Sequence, residues 1–161
     1  MLVTHTIAPV YSPHSRVLIL GTMPSPKSRE AGFYYSHPQN RFWRVLSSLF
    51  CEDVPKTIEE KESLILRHNL ALWDVLKSCQ IEGASDASIK DPVANDLSLI
   101  LKVSPISAIF CTGAKSASLY RKLLEPKTGL SAVRLPSPSP ANCAVSLEKL
   151  KEAYSQILKY L

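Results

Sequence analysis

Apolar residues in this chain follow two patterns, short continuous blocks and longer stretches that repeat every three to four positions. Residues 16–21 (RVLILG) form a block bounded by Gly and Pro, which predicts a buried strand. Residues 70–76, 106–111 and 131–135 have the same character and predict three more strands. Phe42, Val45, Leu46, Leu49 and Phe50 keep the helical spacing, so a helix is expected from Gln39, with Pro38 suited to its threshold. Further helices are expected over residues 58–68, 94–102 and 114–124. Leu147, Leu150, Tyr154, Ile157, Leu158 and Leu161 lie on one stripe and predict a closing helix. Pro24 and Pro26 argue against a helix directly after the first strand and leave a stiff loop to about Pro38. The polar stretch from Lys77 to about Asp91 predicts no element.

Strands alternating with helices predict a parallel sheet covered on both faces. The expected fold class is therefore α/β, a three-layer α/β/α domain with a central, mainly parallel four-stranded sheet. At 161 residues the chain is long enough for one well-buried core and short for two ordinary domains, so residues 1–161 are expected to form a single domain. Ligands of such sheets bind at the carboxyl ends of the strands. The stretch from Gly21, the Thr112-Gly113 break and the segment from Pro136 all fall at such ends, which gives three loops one shared rim.

Composition narrows the function. An apolar share of 45% and a charged share of 20% are those of a soluble globular protein. No apolar stretch approaches the roughly 20 residues that span a bilayer. The opening MLVTHTIAPVYSPH has neither a positive start nor a sustained apolar run, so no secretory signal is expected and the protein is placed in the cytoplasm, away from membranes. Cys51, Cys79, Cys111 and Cys143 stand about thirty residues apart and the four histidines are scattered, which gives no metal-ligand spacing. Residues 1–112 carry eleven Lys+Arg against eleven Asp+Glu; residues 113–161 carry eight against three, so the whole net charge of +5 lies in the last third. A basic face beside a pocket attracts a polyanion, although a lysine-rich helix also often has no more than a solvated face.

Two segments carry the chemistry. Residues 32–43 (GFYYSHPQNRFW) hold five of the twelve aromatics and follow Gly21-Thr22-Met23-Pro24-Ser25. About a hundred residues on, residues 135–142 (LPSPSPAN) form a second rigid loop. These loops offer amides, hydroxyls, backbone N–H groups and rings but no Asp or Glu, which excludes a glycosidase-style carboxylate pair within them. Residues 113–116 (GAKS) lack the second glycine of a phosphate loop and read as a helix start with one basic residue, Lys115, near the rim. Ser139 has no adjacent base and no nucleophile elbow is present. Asp74, at a strand end, is the nearest candidate acid, and as a cap or turn former it needs no catalytic role. A pocket of this kind suits a flat heterocycle and a reaction with a good leaving group. Cleaving a base from its sugar meets that description, because hydrogen bonds can stabilise charge on the departing base once it has left the stack.

The segments GTMPSPKSREAGFYYSHPQNRFWRVL and LPSPSPANCAVSLEKLKEAYSQIL resemble the two signature motifs of the uracil-DNA glycosylase superfamily. The resemblance is greatest to its mismatch-specific and hypoxanthine-DNA (deoxyinosine) glycosylase branches. It implies a small α/β/α enzyme without metal or organic cofactor, acting as a monomer on double- or single-stranded DNA that contains a deaminated base. Its base-binding residues would be Gly21, Thr22, Met23 and Ser137, with Tyr35 stacking on the flipped base. DNA contacts would come from Pro24, Ser25, Ser28, Lys115, Ser139, Pro140, Ala141 and Asn142, with Pro140 and Ala141 as blunt wedges in the minor groove. Many relatives carry Asn or Asp where this chain has Met23, which cannot orient water through a strong hydrogen bond. The deoxyinosine branch also lacks that group, and its catalytic candidate is the Asn of the HPxN run, here Asn40. Ser137 replaces a His or Asn common elsewhere, and both changes point to hypoxanthine rather than uracil.

Plainer roles compete with these. Asn40 suits helix capping, Phe42 and Trp43 suit the core, and His37 suits a loop-fixing hydrogen bond. Arg41 and Arg44 suit either phosphate contact or a solvated helix. Of Tyr34 and Tyr35, an extended chain would turn only one to the pocket. Three alternative functions also fit: a mismatch-type uracil/thymine glycosylase, a non-catalytic module that binds damaged DNA, and a hydrolase of free nucleosides.

Overall fold

The computed structural model describes residues 1–161. Its strands are Leu2–Thr4 (β1), Val17–Gly21 (β2), Leu70–Asp74 (β3), Leu76–Gln80 (β4), Lys90–Ala94 (β5), Ala108–Thr112 (β6) and Ala132–Leu135 (β7). Its helices are Pro26–Ala31 (α1), Phe42–Leu49 (α2), Ile58–Arg67 (α3), Ser98–Leu101 (α4), Ala114–Leu123 (α5), Glu125–Thr128 (α6) and Leu147–Tyr154 (α7).

Four strands make the expected parallel sheet, in the order β3-β2-β6-β7. Every residue of β2 and β3 is buried, as continuous apolar blocks require. Helices flank the sheet: α3 packs on β3, α5 on β6 and β7, and α2 pairs with α7. The chain runs from β2 to β3 on one side and later to β6 on the other, so the connections diverge around β2. That divergence opens a crevice at the carboxyl ends. The register sets Gly21 opposite Asp74 and Leu20 opposite Cys111, with Thr112 next along β6, so three strands finish at one level.

A second sheet was not legible in the sequence. β4 pairs antiparallel with β1 and β5. Residues 70–76 therefore belong to two strands of different sheets, separated at Val75, whose N–H donates to the Gly21 carbonyl at 2.8 Å. Register shifts along the β4–β5 pairing break the two-residue alternation that would have revealed both strands.

Four helix expectations need correction. A helix does follow β2 almost at once: Pro26 occupies its first turn, where a missing N–H has no cost, Ser25 caps it and Gly32 at φ 77° ends it. The next helix begins at Phe42 rather than Gln39. Over residues 94–102, β5 takes the first position and only Ser98–Leu101 is helical. The closing helix stops at Tyr154 and tightens to a 3₁₀ turn over Ser155–Tyr160, which rotates Leu158 out of the stripe to 43% exposure.

Cys51 and Cys143 are exposed while Cys79 and Cys111 are buried, and all four are free thiols. Burial pushes the Cys111 thiol up to about 12. A thiol-exchange chromogen should therefore titrate only Cys51 and Cys143 in the native protein, and Cys79 and Cys111 after denaturation.

Candidate active site

The three strand ends converge above Gly21. A Cβ there would stand 2.5 Å from Asp74 Oδ1, 3.2 Å from Tyr35 Oη and 3.6 Å from Thr112 Oγ1. Only glycine lets these groups approach one another so closely. Around them lies a cavity of about 140 Å³. Ordinary small-molecule pockets begin near 300 Å³, so this one suits a single heterocycle.

Most of the residues expected at the site line that cavity: Gly21, Thr22, Met23, Pro24, Ser25, Ser28, Tyr35, Asn40, Ser137 and Ser139. Lys115, Pro140, Ala141 and Asn142 do not. Pro140–Asn142 form a 3₁₀ turn beyond the cavity, with Ala141 exposed. Lys115, on the first turn of α5, acts electrostatically on the Asp86 carboxyl at the cavity wall. Ser28 is 3% exposed and accepts the Ser36 N–H at 3.1 Å, so it joins α1 to the aromatic loop from within and does not reach outward to DNA.

Tyr35 holds a left-handed backbone, φ 52°, which a bulky residue rarely adopts. Its ring stacks on Phe42 at 3.9 Å and 11°, and its hydroxyl pairs with Thr112 Oγ1 at 3.1 Å. These contacts hold the strained conformation at the cavity wall. Burial first, and then the Asp74 charge, push the Tyr35 phenol well above its ordinary value, so it remains protonated at physiological pH. Because the backbone at Tyr35 is not extended, strict alternation fails and Tyr34 lines the cavity as well. The Tyr34 hydroxyl turns away, donating to the Ala8 carbonyl at 2.8 Å.

Asn40 is both a turn former and a cavity residue. Its Oδ1 accepts the Phe42 N–H at 2.9 Å, and its amide nitrogen has no protein partner. One lone pair of the oxygen is thus used, and the amide N–H₂ is wholly free to donate. His37 fixes the same turn by accepting the Gln39 N–H on Nδ1 at 3.1 Å. Phe42 and Trp43 are buried in the core.

The two motif loops are tied together by Arg41. Its backbone N–H donates to the Pro138 carbonyl at 3.1 Å. Its guanidinium donates to the carbonyls of Ser139, Asn142 and Val145. Asn142 Nδ2 returns to the Ser137 carbonyl at 2.9 Å, and the Tyr154 hydroxyl donates to that of Pro136 at 3.1 Å. Arg41 is therefore an internal strut, which neither of its sequence-level readings foresaw.

The nearest candidate acid in the sequence, Asp74, does reach the site. Asp74 lines the cavity and is 4% exposed, and Asp86 lines it too, so the pocket holds carboxylates although the two motif loops contribute none. Asp74 Oδ2 accepts the Nε2–H of His5 at 2.8 Å. β1 pairing with β4 brings His5 there, across 69 positions of chain. Asn95 pins the bend by donating to the carbonyls of Asp74 and Leu76 at 2.9 and 3.1 Å. Nowhere do three His, Cys, Asp or Glu side chains converge as metal ligands.

The family model described as the uracil DNA glycosylase superfamily matches residues 8–161. A hypoxanthine DNA glycosylase of Methanosarcina acetivorans is 34% identical over 144 residues, covering 89% of this chain and 90% of that one. Its namesake from Methanosarcina barkeri is 32% identical over 152 residues, covering 94% and 95%. A solution NMR structure from Methanosarcina acetivorans that carries the name uracil DNA glycosylase superposes with a TM-score of 0.81 at 29% identity, covering 98% of this chain and 99% of that one.

Replacing Arg41 by Ala should loosen the second loop without unfolding the sheet. Lost charge-assisted hydrogen bonds of this kind cost about 1.5–3 kcal/mol in all. Urea denaturation should register that loss, and amide exchange should quicken selectively over residues 139–146.

Proposed function

This chain belongs to the uracil DNA glycosylase superfamily, and we propose that within it the protein is a monofunctional DNA glycosylase that removes hypoxanthine from deoxyinosine and leaves an abasic site. The observation that carries this reading is the meeting of both motif loops on one base-sized cavity, with Tyr35 and Asn40 in the same wall. The two Methanosarcina relatives named hypoxanthine DNA glycosylases support the choice of base.

The target nucleotide leaves the stack and its base slides against Tyr35, whose ring is backed by Phe42. Bond cleavage gives the sugar oxocarbenium character and the departing base negative charge. Met23 offers no group to handle water, and we assign that task to Asn40, which lines the same cavity. With Oδ1 anchored by the Phe42 N–H, the Asn40 amide N–H₂ holds a water through its oxygen or steadies the ribose. No lysine lines the cavity to form a Schiff base with the sugar, which favours hydrolysis over a lyase course.

Double- or single-stranded DNA lies against the rim. Gly21, Thr22, Met23 and Ser137 surround the base, while Pro24, Ser25 and Ser139 follow the strand at the mouth. Pro140 and Ala141 press into the minor groove from their exposed turn, supported by Asn142. Lys115 and the other cations of the last third supply a salt-dependent attraction to phosphate. Four free thiols fit a cytoplasmic enzyme, which we take to act as a monomer.

A panel of duplexes carrying one hypoxanthine, uracil, xanthine or mismatched thymine tests the reading. Abasic product should form fastest from hypoxanthine; cleavage confined to uracil would refute the interpretation of Met23, and tight binding without product would make the protein a recognition module. In single turnover, Asn40→Ala should slow hypoxanthine release by about 100-fold or more, the scale of losing an oriented transition-state donor. Its turn contributes only about 1 kcal/mol, so the variant stays folded and full activity would remove Asn40 from the chemistry.

A further inference from the structure

We infer that Asp86 is a further catalytic residue, the carboxylate that takes the proton of the attacking water while its charge faces the forming sugar cation. The inference rests on the glycosylase reading and deepens it by naming where that proton goes.

Asn40 leaves part of the chemistry undone. An amide can hold a water but is too weak a base to accept its proton, and Met23 has no polar group to offer. The carboxylates of the cavity are Asp74 and Asp86. Asp74 lies on the floor, 4% exposed, and is engaged by His5. Asp86 is exposed, in a 3₁₀ turn over Asp86–Ser88 within the connection from β4 to β5. Antiparallel pairing of those two strands returns the connection to the cavity, where Ala84 and Asp86 complete the wall. A base that fills the floor leaves its glycosidic carbon at the mouth, on the side where Asp86 stands.

The carboxylate there is uncommitted. Only the backbone carbonyl of Asp86 is engaged, by the Ile89 N–H at 3.3 Å. Lys115 of α5 acts on the carboxyl through space without pairing with it. Desolvation by the wall outweighs that attraction and raises the carboxyl above its ordinary value, toward that of a useful base. Cys79 of β4 feels the Asp86 charge, and Tyr34, Tyr35 and Asp74 share the cavity wall. Burial pushes the thiol and both phenols upward, so they stay protonated while the carboxylate titrates.

A carboxylate in this place repels the phosphates of the bound strand and attracts the cation that forms at C1′. It weakens binding and favours the transition state, the difference on which catalysis depends. As the C1′–N9 bond breaks, its electron pair leaves with hypoxanthine. The water oxygen bonds to C1′, and one water proton passes to Asp86, which releases it to the departed base anion.

The test separates binding from chemistry in the full-length protein and in Asp86→Asn. Affinity is measured on a duplex with 2′-fluorinated deoxyinosine, whose fluorine disfavours the sugar cation and blocks cleavage. Single-turnover rates are measured on the ordinary deoxyinosine duplex across pH. Asp86→Asn should slow hypoxanthine release by about 100-fold or more, the scale of one general base. It should also bind DNA about twofold to fivefold more tightly at low salt, the scale of one exposed repulsion removed. In the unaltered protein the rate should rise with pH and level off once Asp86 is ionised; in Asp86→Asn that limb should vanish. A limb that persists would belong to another group, and equal losses of affinity and rate would make Asp86 a structural contact; either result overturns the inference. An unchanged rate would overturn it while leaving the glycosylase reading intact; an unaltered protein inert on hypoxanthine would remove that reading and this inference together.

Discussion

The site depends on the missing side chain of Gly21. At the end of the central strand the backbone must pass beneath Asp74, Tyr35 and Thr112 with no room for even a methyl group. Parallel pairing of β2 with β3 and β6 brings the strand ends level, and glycine lets side chains from two strands and a loop close over them. A buried floor results, rigid because sheet hydrogen bonds hold it rather than loop contacts.

Above that floor the walls come from loops, and they too are locked. Tyr35 is kept in a left-handed backbone by its stack on Phe42 and its bond to Thr112. Phe42 opens α2, so one aromatic pair links the pocket to the core. Arg41 connects the Asn40 turn to the second motif loop. A neutral amide can do little by acid–base strength; it acts by being placed, and this network of contacts places it.

The parallel sheet was readable because its strands are continuous apolar blocks with sharp ends, and both motif loops were readable because each follows such a block. The short antiparallel sheet was not, since its irregular register and half-exposed strands carry no clean period. Helix α1 was missed because the sequence marks proline as a breaker, whereas its position in the first turn makes it a starter.

Local pattern therefore determined the four strands of the parallel sheet, the rim where loops gather, and the aromatic and Pro/Ser-rich character of the pocket. Those properties depend on neighbours in the chain, through burial period, turn residues and fixed proline angles. Tertiary structure alone decided that His5 meets Asp74, that Arg41 turns inward, and that Tyr34 joins Tyr35 in one wall. Each of these follows from pairing between distant segments. A single polar residue carries no periodicity, so its partner becomes visible only when the backbone has brought the two together.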